Sequence, residues 1–265
     1  MIPQDFFPRI LRFDSVPSTN LKAKEMAKKG GKEGTVIIAA EQTAGRGRGN
    51  HEWYSPKGGL YLSTLLKPKL AKRATDISIL AGAAVAQTVK DSMPKSADVT
   101  VKWPNDVLVN YKKIGGVLCE SLGEEYDDFC VVGIGLNVNI AQENLTQFEN
   151  NPFKATSFMT ENVGGTFDIE RVSNTLLRKL FTLYRLYQET GFESVQYIWE
   201  RNCRFIGKKV EFQDIDWQNQ EAKENAFGKT QGVFQGIDAS GAAVIMNDKG
   251  ERHTYYSGEI TCFWQ

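Results

Sequence analysis

Two runs in the sequence carry residue types suited to managing a carboxylate and a phosphate. The first is Glu41-Gln-Thr-Ala-Gly-Arg-Gly-Arg-Gly49, followed by Asn50-His51-Glu52-Trp53. Glycine lets the backbone turn its amides toward an oxyanion, and arginine adds guanidinium donors in a fixed fork. The run lacks the Gly-Lys-Ser/Thr ending of a P-loop. By composition alone, a solvated turn and a nucleic-acid contact stay open beside the oxyanion reading. The second run is Val101-Lys102-Trp103-Pro104-Asn105-Asp106. Pro104 restricts Trp103 and stiffens the link, so Lys102 and Asp106 are expected on opposite sides of a small pocket, with Trp103 packed beneath Lys102. A lysine there suits a phosphate or a developing carboxylate charge, and a structural turn with a surface lysine is the alternative. Lys112-Lys113-Ile-Gly-Gly-Val-Leu118 adds positive charge before a glycine-rich strand, and Gly133-Ile-Gly-Leu-Asn-Val-Asn139 places the amides of Asn137 and Asn139 nearby.

These residues need a scaffold, and the patterning supplies one. Ser18-Thr19-Asn20 precedes a short helix over 21–29 that Gly30-Gly31 ends. Strands are expected over 34–40, 59–66, 99–103, 113–120 and 129–138, where β-branched residues are frequent. Ile77, Leu80, Ala84, Val85 and Thr88 recur at helical spacing before Pro94, and Val172, Leu176, Leu180, Leu183 and Leu186 do so before Gly191. After about Lys208 the pattern changes to short strands over 209–212, 233–237, 242–246 and 254–256, with turns at Ser240-Gly241 and Asp248-Lys-Gly250. The expectation is a domain over 1–200 and a second, small β domain over 208–265.

Composition narrows the function classes. Of 265 residues, 41% are hydrophobic, enough for a sizeable core, and 32 Lys plus Arg balance 32 Asp plus Glu. That balance speaks against a general polycation for nucleic acid. No apolar run approaches membrane-spanning length, and the start lacks a signal-peptide pattern. Cys119, Cys130, Cys203 and Cys262 form neither a paired motif nor a dense framework, which suggests free thiols in a reducing, cytoplasmic setting. Cys119 and Cys130 alternate with apolar neighbours and read as packing. His51 and His253 stand too far apart to support a metal centre, so zinc is not implied. Asp127-Asp128 reads as a wet turn.

Taken in order, the motifs resemble those of biotin–protein ligases, the enzymes that attach biotin to carrier domains. Ser18-Thr19-Asn20, Gln42-Thr-Ala-Gly-Arg-Gly-Arg48, Trp53, Lys102-Trp-Pro-Asn-Asp106, Lys113-Ile-Gly-Gly116 and Gly133-Ile-Gly-Leu-Asn-Val-Asn139 carry the resemblance. Gly232-Val-Phe-Gln-Gly-Ile-Asp238, Gly241 and Gly258-Glu-Ile260 extend it almost to the end. It implies an α+β fold: a mixed, mainly antiparallel sheet with helices packed on one face, similar to the class II synthetase-like biotin/lipoate ligase fold, then a small SH3-like β-barrel. It also implies biotin binding by Ser18, Thr19, Asn20, Gln42, Gly45, Arg46, Lys102, Gly115 and Gly116. ATP or adenylate would be bound by Arg46, Arg48, Trp53, Asn105, Lys113, Asn137 and Asn139. Lys102, Arg46, Arg48 and Asp106 would be catalytic, with Asp106 orienting Lys102 or helping to manage magnesium.

The implied chemistry activates a poor acyl donor. ATP converts the biotin carboxylate to biotinyl-5′-adenylate and pyrophosphate, and a carrier lysine then displaces AMP. Magnesium would accompany ATP, its protein ligands unassigned. Gly45, Gly47 and Gly49 suggest a loop that closes over the adenylate and excludes water. The partner implied is a biotin carboxyl carrier protein or domain, with no DNA and no membrane, and with monomer and homodimer both open. The pattern departs from many relatives at Gly49-Asn50-His51-Glu52, where an Arg-Gly-Arg continuation is usual, and at Phe263, where some relatives carry an arginine. Lipoate ligases and octanoyl transferases share the related fold and are the nearest alternative, and a nucleic-acid-binding protein is the alternative of a different class.

Overall fold

The computed structural model describes residues 9–49, 51–69, 74–122, 129–145, 154–213 and 229–262. The expected turn at Asp127-Asp128 and the departure at Phe263 lie outside them. The elements are β1 (Ile10–Val16), α1 (Thr19–Lys28), β2 (Val36–Gln42), β3 (Leu60–Leu66), α2 (Ala74–Ser92), β4 (Val99–Lys102), β5 (Asp106–Val109), β6 (Lys112–Ser121), β7 (Cys130–Leu136), α3 (Gln142–Leu145), α4 (Phe158–Glu161), α5 (Ile169–Thr190) and α6 (Phe192–Glu200), followed by β8 (Lys209–Gln213), β9 (Lys229–Ile237), β10 (Ala243–Met246), β11 (Arg252–Tyr255) and β12 (Glu259–Cys262).

The first seven strands form one sheet in the order β1-β2-β3-β7-β6-β5-β4. Only the β1–β2 pair is parallel. Strand alternation separates the faces. Val36, Leu60, Leu62, Leu66, Val132, Ile134 and Leu136 turn toward α2 and α5 in the main core, whereas Ile37, Leu65 and Val131 pack against Ala23 and Ala27 of α1. Helices therefore cover both faces, not one. Helix α1 is short and leaves most of its side of the sheet open, which creates room for a site.

Helix α2 is buried almost all round, and its Ala81-Gly82-Ala83-Ala84 stretch suits a helix held between a sheet and α5. Helix α5 begins where the Asp168 carboxylate accepts the backbone N–H groups of Glu170 (2.9 Å) and Arg171 (3.3 Å), and it ends at Gly191, φ 82°. The remaining strands form a five-stranded antiparallel sheet, β11-β10-β9-β8-β12. A closed barrel was expected; among the described residues β12 pairs with β8 on one edge and no ladder joins it to β11, so the sheet is open. Trp103 joins this sheet to the larger unit. Its indole is 1% exposed, donates from Nε1 to the Gly241 carbonyl (2.9 Å) and lies 6.1 Å from the Phe212 ring.

Candidate active site

A row of register partners crosses the open face: Lys102, Asp106, Gly116, Gly135 and Tyr61. The next row holds Leu118, Gly133 and Ser63. Three glycines thus form a floor without side chains, and the space above it is a cavity of about 570 Å³. That volume suits a small-molecule substrate. The glycines are required by what lies over them. A Cβ at Gly135 would fall 2.4 Å from Trp53 Nε1, and one at Gly133 would fall 2.2 Å from Asn20 Oδ1.

Charge is concentrated at one end. Asp106 pairs with Lys113 through Oδ1 (2.7 Å) and with Lys102 through Oδ2 (3.4 Å). Lys102 is 3% exposed. A bulge between Val107 and Leu108 shifts the β5–β6 register ahead of Lys113 and helps aim that side chain across the sheet. Burial alone would raise the Asp106 carboxyl, but the Lys113 and Lys102 charges outweigh it and hold the group below its ordinary value. The Lys113 ammonium also lies 5.3 Å from the centre of the Trp53 ring.

Residues 43–49 and 51–54 fold back on one another. Gly47 N–H donates to the His51 carbonyl (2.7 Å), Trp53 N–H donates to the Gly45 carbonyl (3.0 Å), and the backbones of Arg46 and Glu52 pair as an isolated antiparallel β-bridge. This hairpin brings Arg46 and Arg48 to the cavity wall. Burial lowers the Arg48 guanidinium below its ordinary value, while Asp106 and Glu259 act in the opposite sense. The other end of the cavity is lined by the polar side chains of Ser18, Thr19, Asn20 and Gln42, with Arg46 close enough to Glu120 behind that wall to help lower its carboxyl. Ser18 stands at the N-cap position of α1, yet its side chain makes no capping bond. The sequence's helix-start signal is spent on the cavity wall.

Thirteen of the sixteen residues singled out from sequence meet here: Ser18, Thr19, Asn20, Gln42, Arg46, Arg48, Trp53, Lys102, Asn105, Asp106, Lys113, Gly116 and Asn137. Gly45, Gly115 and Asn139 are not among the lining residues. Gly45 is buried beneath the loop, where a Cβ would come within 2.2 Å of the Trp53 carbonyl oxygen. Gly115 differs from Gly116 by one position and therefore faces the core, toward Leu136 and Val85. Asn139 uses its amide to hold Phe167, donating to its carbonyl (2.7 Å) and accepting its N–H (2.8 Å). Asn105 lines the cavity while tying β6 in place through the Val117 carbonyl (2.8 Å).

Several lining residues were not selected from sequence: Leu145, Ala155 and Glu259 among them. Leu145 and Ala155 belong to no motif. Glu259 arrives from the C-terminal sheet, far away in the chain. Gly133 and Gly135 did carry a signal, since two glycines spaced by two on a strand open one face. Among the described residues no group of three or more His, Cys, Asp or Glu side chains gathers as a metal cluster, and no helix is long and apolar enough to cross a membrane.

Residues 11–137 match the Biotin/lipoate A/B protein ligase family, and residues 228–261 match the Biotin protein ligase C terminal domain. A bifunctional ligase/repressor BirA of Bacillus spizizenii is 30% identical over 245 residues, which span 91% of this chain and 70% of that protein. The chain belongs to the biotin/lipoate A/B protein ligase family. Within the family, the biotin–[acetyl-CoA-carboxylase] ligase of Paracoccus denitrificans is 29% identical, with 89% of this chain and 93% of that protein covered. The biotin protein ligase of Aquifex aeolicus, solved in complex with biotin and ATP, superimposes with a TM-score of 0.77 at 28% identity, covering 98% of this chain and all of that one. The seven-stranded sheet and the C-terminal sheet are thus both parts of a ligase fold.

Proposed function

We propose that this protein activates biotin with ATP to biotinyl-5′-adenylate, releasing pyrophosphate, and then transfers biotin to a specific lysine of a biotin carboxyl carrier domain. The observation that carries this reading is the match, over nearly the whole of both chains, to a ligase solved with biotin and ATP. The cavity's two unlike ends agree with it. Ser18, Thr19, Asn20 and Gln42 suit a ureido ring, which both donates and accepts hydrogen bonds. Lys102 with Arg46 and Arg48 suits the carboxylate and the α-phosphate, where negative charge grows in both transition states. Asp106 orients Lys102. Both of its oxygens already face lysines, so magnesium is best carried in by the ATP phosphates.

Trp53, Asn105, Lys113 and Asn137 would enclose the nucleotide, and the 43–54 loop would close over the adenylate to exclude water. Division of the chain into a catalytic domain over 1–200 and an SH3-like barrel over 208–265, in a cytoplasmic protein, belongs to the same reading. The test is the intact mass of an apo carrier domain after incubation with this protein, ATP–magnesium and either biotin or lipoate. An ATP-dependent, biotin-sized addition on the target lysine is expected. A lipoyl-sized addition alone would transfer the protein to the sister activity, and no addition would reject both.

A further inference from the structure

Hydrogen-bond direction at the polar end of the cavity is dictated by groups that can only accept. Ser55 Oγ donates its single proton to the Trp53 carbonyl (2.8 Å), so it must accept from Gln42 Nε2 (2.8 Å). Gln42 Oε1 is thereby turned to Thr19, where it accepts from the backbone N–H (2.8 Å) and the hydroxyl (3.1 Å). On the other side Asn20 Nδ2 gives its hydrogens to the Leu118 carbonyl (3.2 Å) and to Glu120 Oε2 (2.7 Å). Both donors of Asn20 are used. What remains is Oδ1, which shares the single proton of the buried Ser63 hydroxyl (2.6 Å) with Thr19 Oγ1 (2.7 Å) and keeps acceptor capacity to spare.

Glu120 is held in turn. Lys24 Nζ lies 2.7 Å from its Oε1 and keeps the carboxylate ionised and acceptor-only. Burial works against that charge, and the hydrogen bonds from Lys24 and Asn20 outweigh it. Its register partner is Val131, one row beyond Gly133, so it stands behind the cavity wall and not in it. We propose that Glu120 is a positioning residue for substrate recognition: it commits Asn20 to presenting an acceptor, and so selects a head group that carries a ring N–H, as a cyclic urea does and a dithiolane does not. This inference rests on the reading that the polar end takes the ureido ring.

The test is Glu120→Gln, which keeps the side chain's size but can donate as well as accept, leaving the Asn20 amide free to turn. Pyrophosphate exchange would be measured against biotin, ATP and lipoate, with Glu120→Ala in parallel. The expected result is a biotin KM raised about tenfold in Glu120→Gln and further in Glu120→Ala, with kcat and the ATP KM within about twofold of the parent and no weakening toward lipoate. A biotin KM unchanged in both variants, or a loss shared by kcat and the ATP KM, would overturn the proposal. Parent protein that turns over lipoate and not biotin would instead overturn the underlying reading of the site.

Discussion

Asp106 shows how much one buried carboxylate organises. It sits between Lys102 and Lys113, and its pKa is depressed because those charges outweigh its burial. Asp106→Asn leaves two ammonium groups facing each other with no anion between them. The expected cost is about 3 kcal/mol near neutral pH, together with a lower rate of adenylate formation. A group with a depressed folded-state pKa contributes stability above its ordinary value, 3.8 for this carboxyl, and loses it as pH falls through the lower folded value. The gap in thermal midpoint between parent and variant should therefore be widest at neutral pH and narrow in acid below about pH 4. A gap of constant size from pH 7 to pH 3 would show that the carboxylate's charge is not what stabilises the pair.

At the scale of elements, the site is a property of strand alternation. Gly133 and Gly135 of β7 and Gly116 of β6 open one face, while Val132, Ile134 and Leu136 of the same strand β7 fill the core on the other. The floor is also the seat of Trp53, which couples the arginine loop to the sheet. Gly135→Ala puts a methyl group 2.4 Å from Trp53 Nε1, so the indole must lift away from the sheet. The fluorescence emission should move to longer wavelength, and the shift should vanish when Trp53→Phe is added. An emission spectrum that Gly135→Ala leaves in place would mean that the indole does not rest on this floor.

The C-terminal sheet is held to the larger unit by the Gln196 bond to the Ile237 carbonyl (2.7 Å) and by Trp103, whose neighbour in the chain is Lys102. Its N–H satisfies the Gly241 carbonyl and its ring faces Phe212 of β8, while Glu259 of β12 reaches the cavity wall. Trp103→Phe keeps most of the packing and leaves a buried carbonyl without its donor, an expected loss of about 1–3 kcal/mol. Hydrogen exchange should rise first around residues 241–246 and only later in α5, since α5 does not touch that contact. Equal acceleration in both places would point to general loosening and not to a broken link between the two sheets.

Much of this was legible in the chain. Residue types and local spacing sufficed for the two long helices and for most strands to within a few residues, while the thirteen residues that line the cavity were singled out through the resemblance to biotin–protein ligases, whose motifs they match. Residue types and spacing were not enough for β1, β5, α6 or β12. Strands β1 and β12 pair with β2 and β8, which are distant in sequence, whereas β5 pairs with its chain neighbours β4 and β6 but at four residues is too short to show a period. Nor could spacing separate Gly115 from Gly116, since the face of a strand is decided by register with its neighbours. Burial around Ser63, the acceptor-only role of Glu120 and the arrival of Glu259 from the far end of the chain are all long-range contacts. Such contacts exist only once the sheet has formed, and for that reason tertiary structure alone decided them.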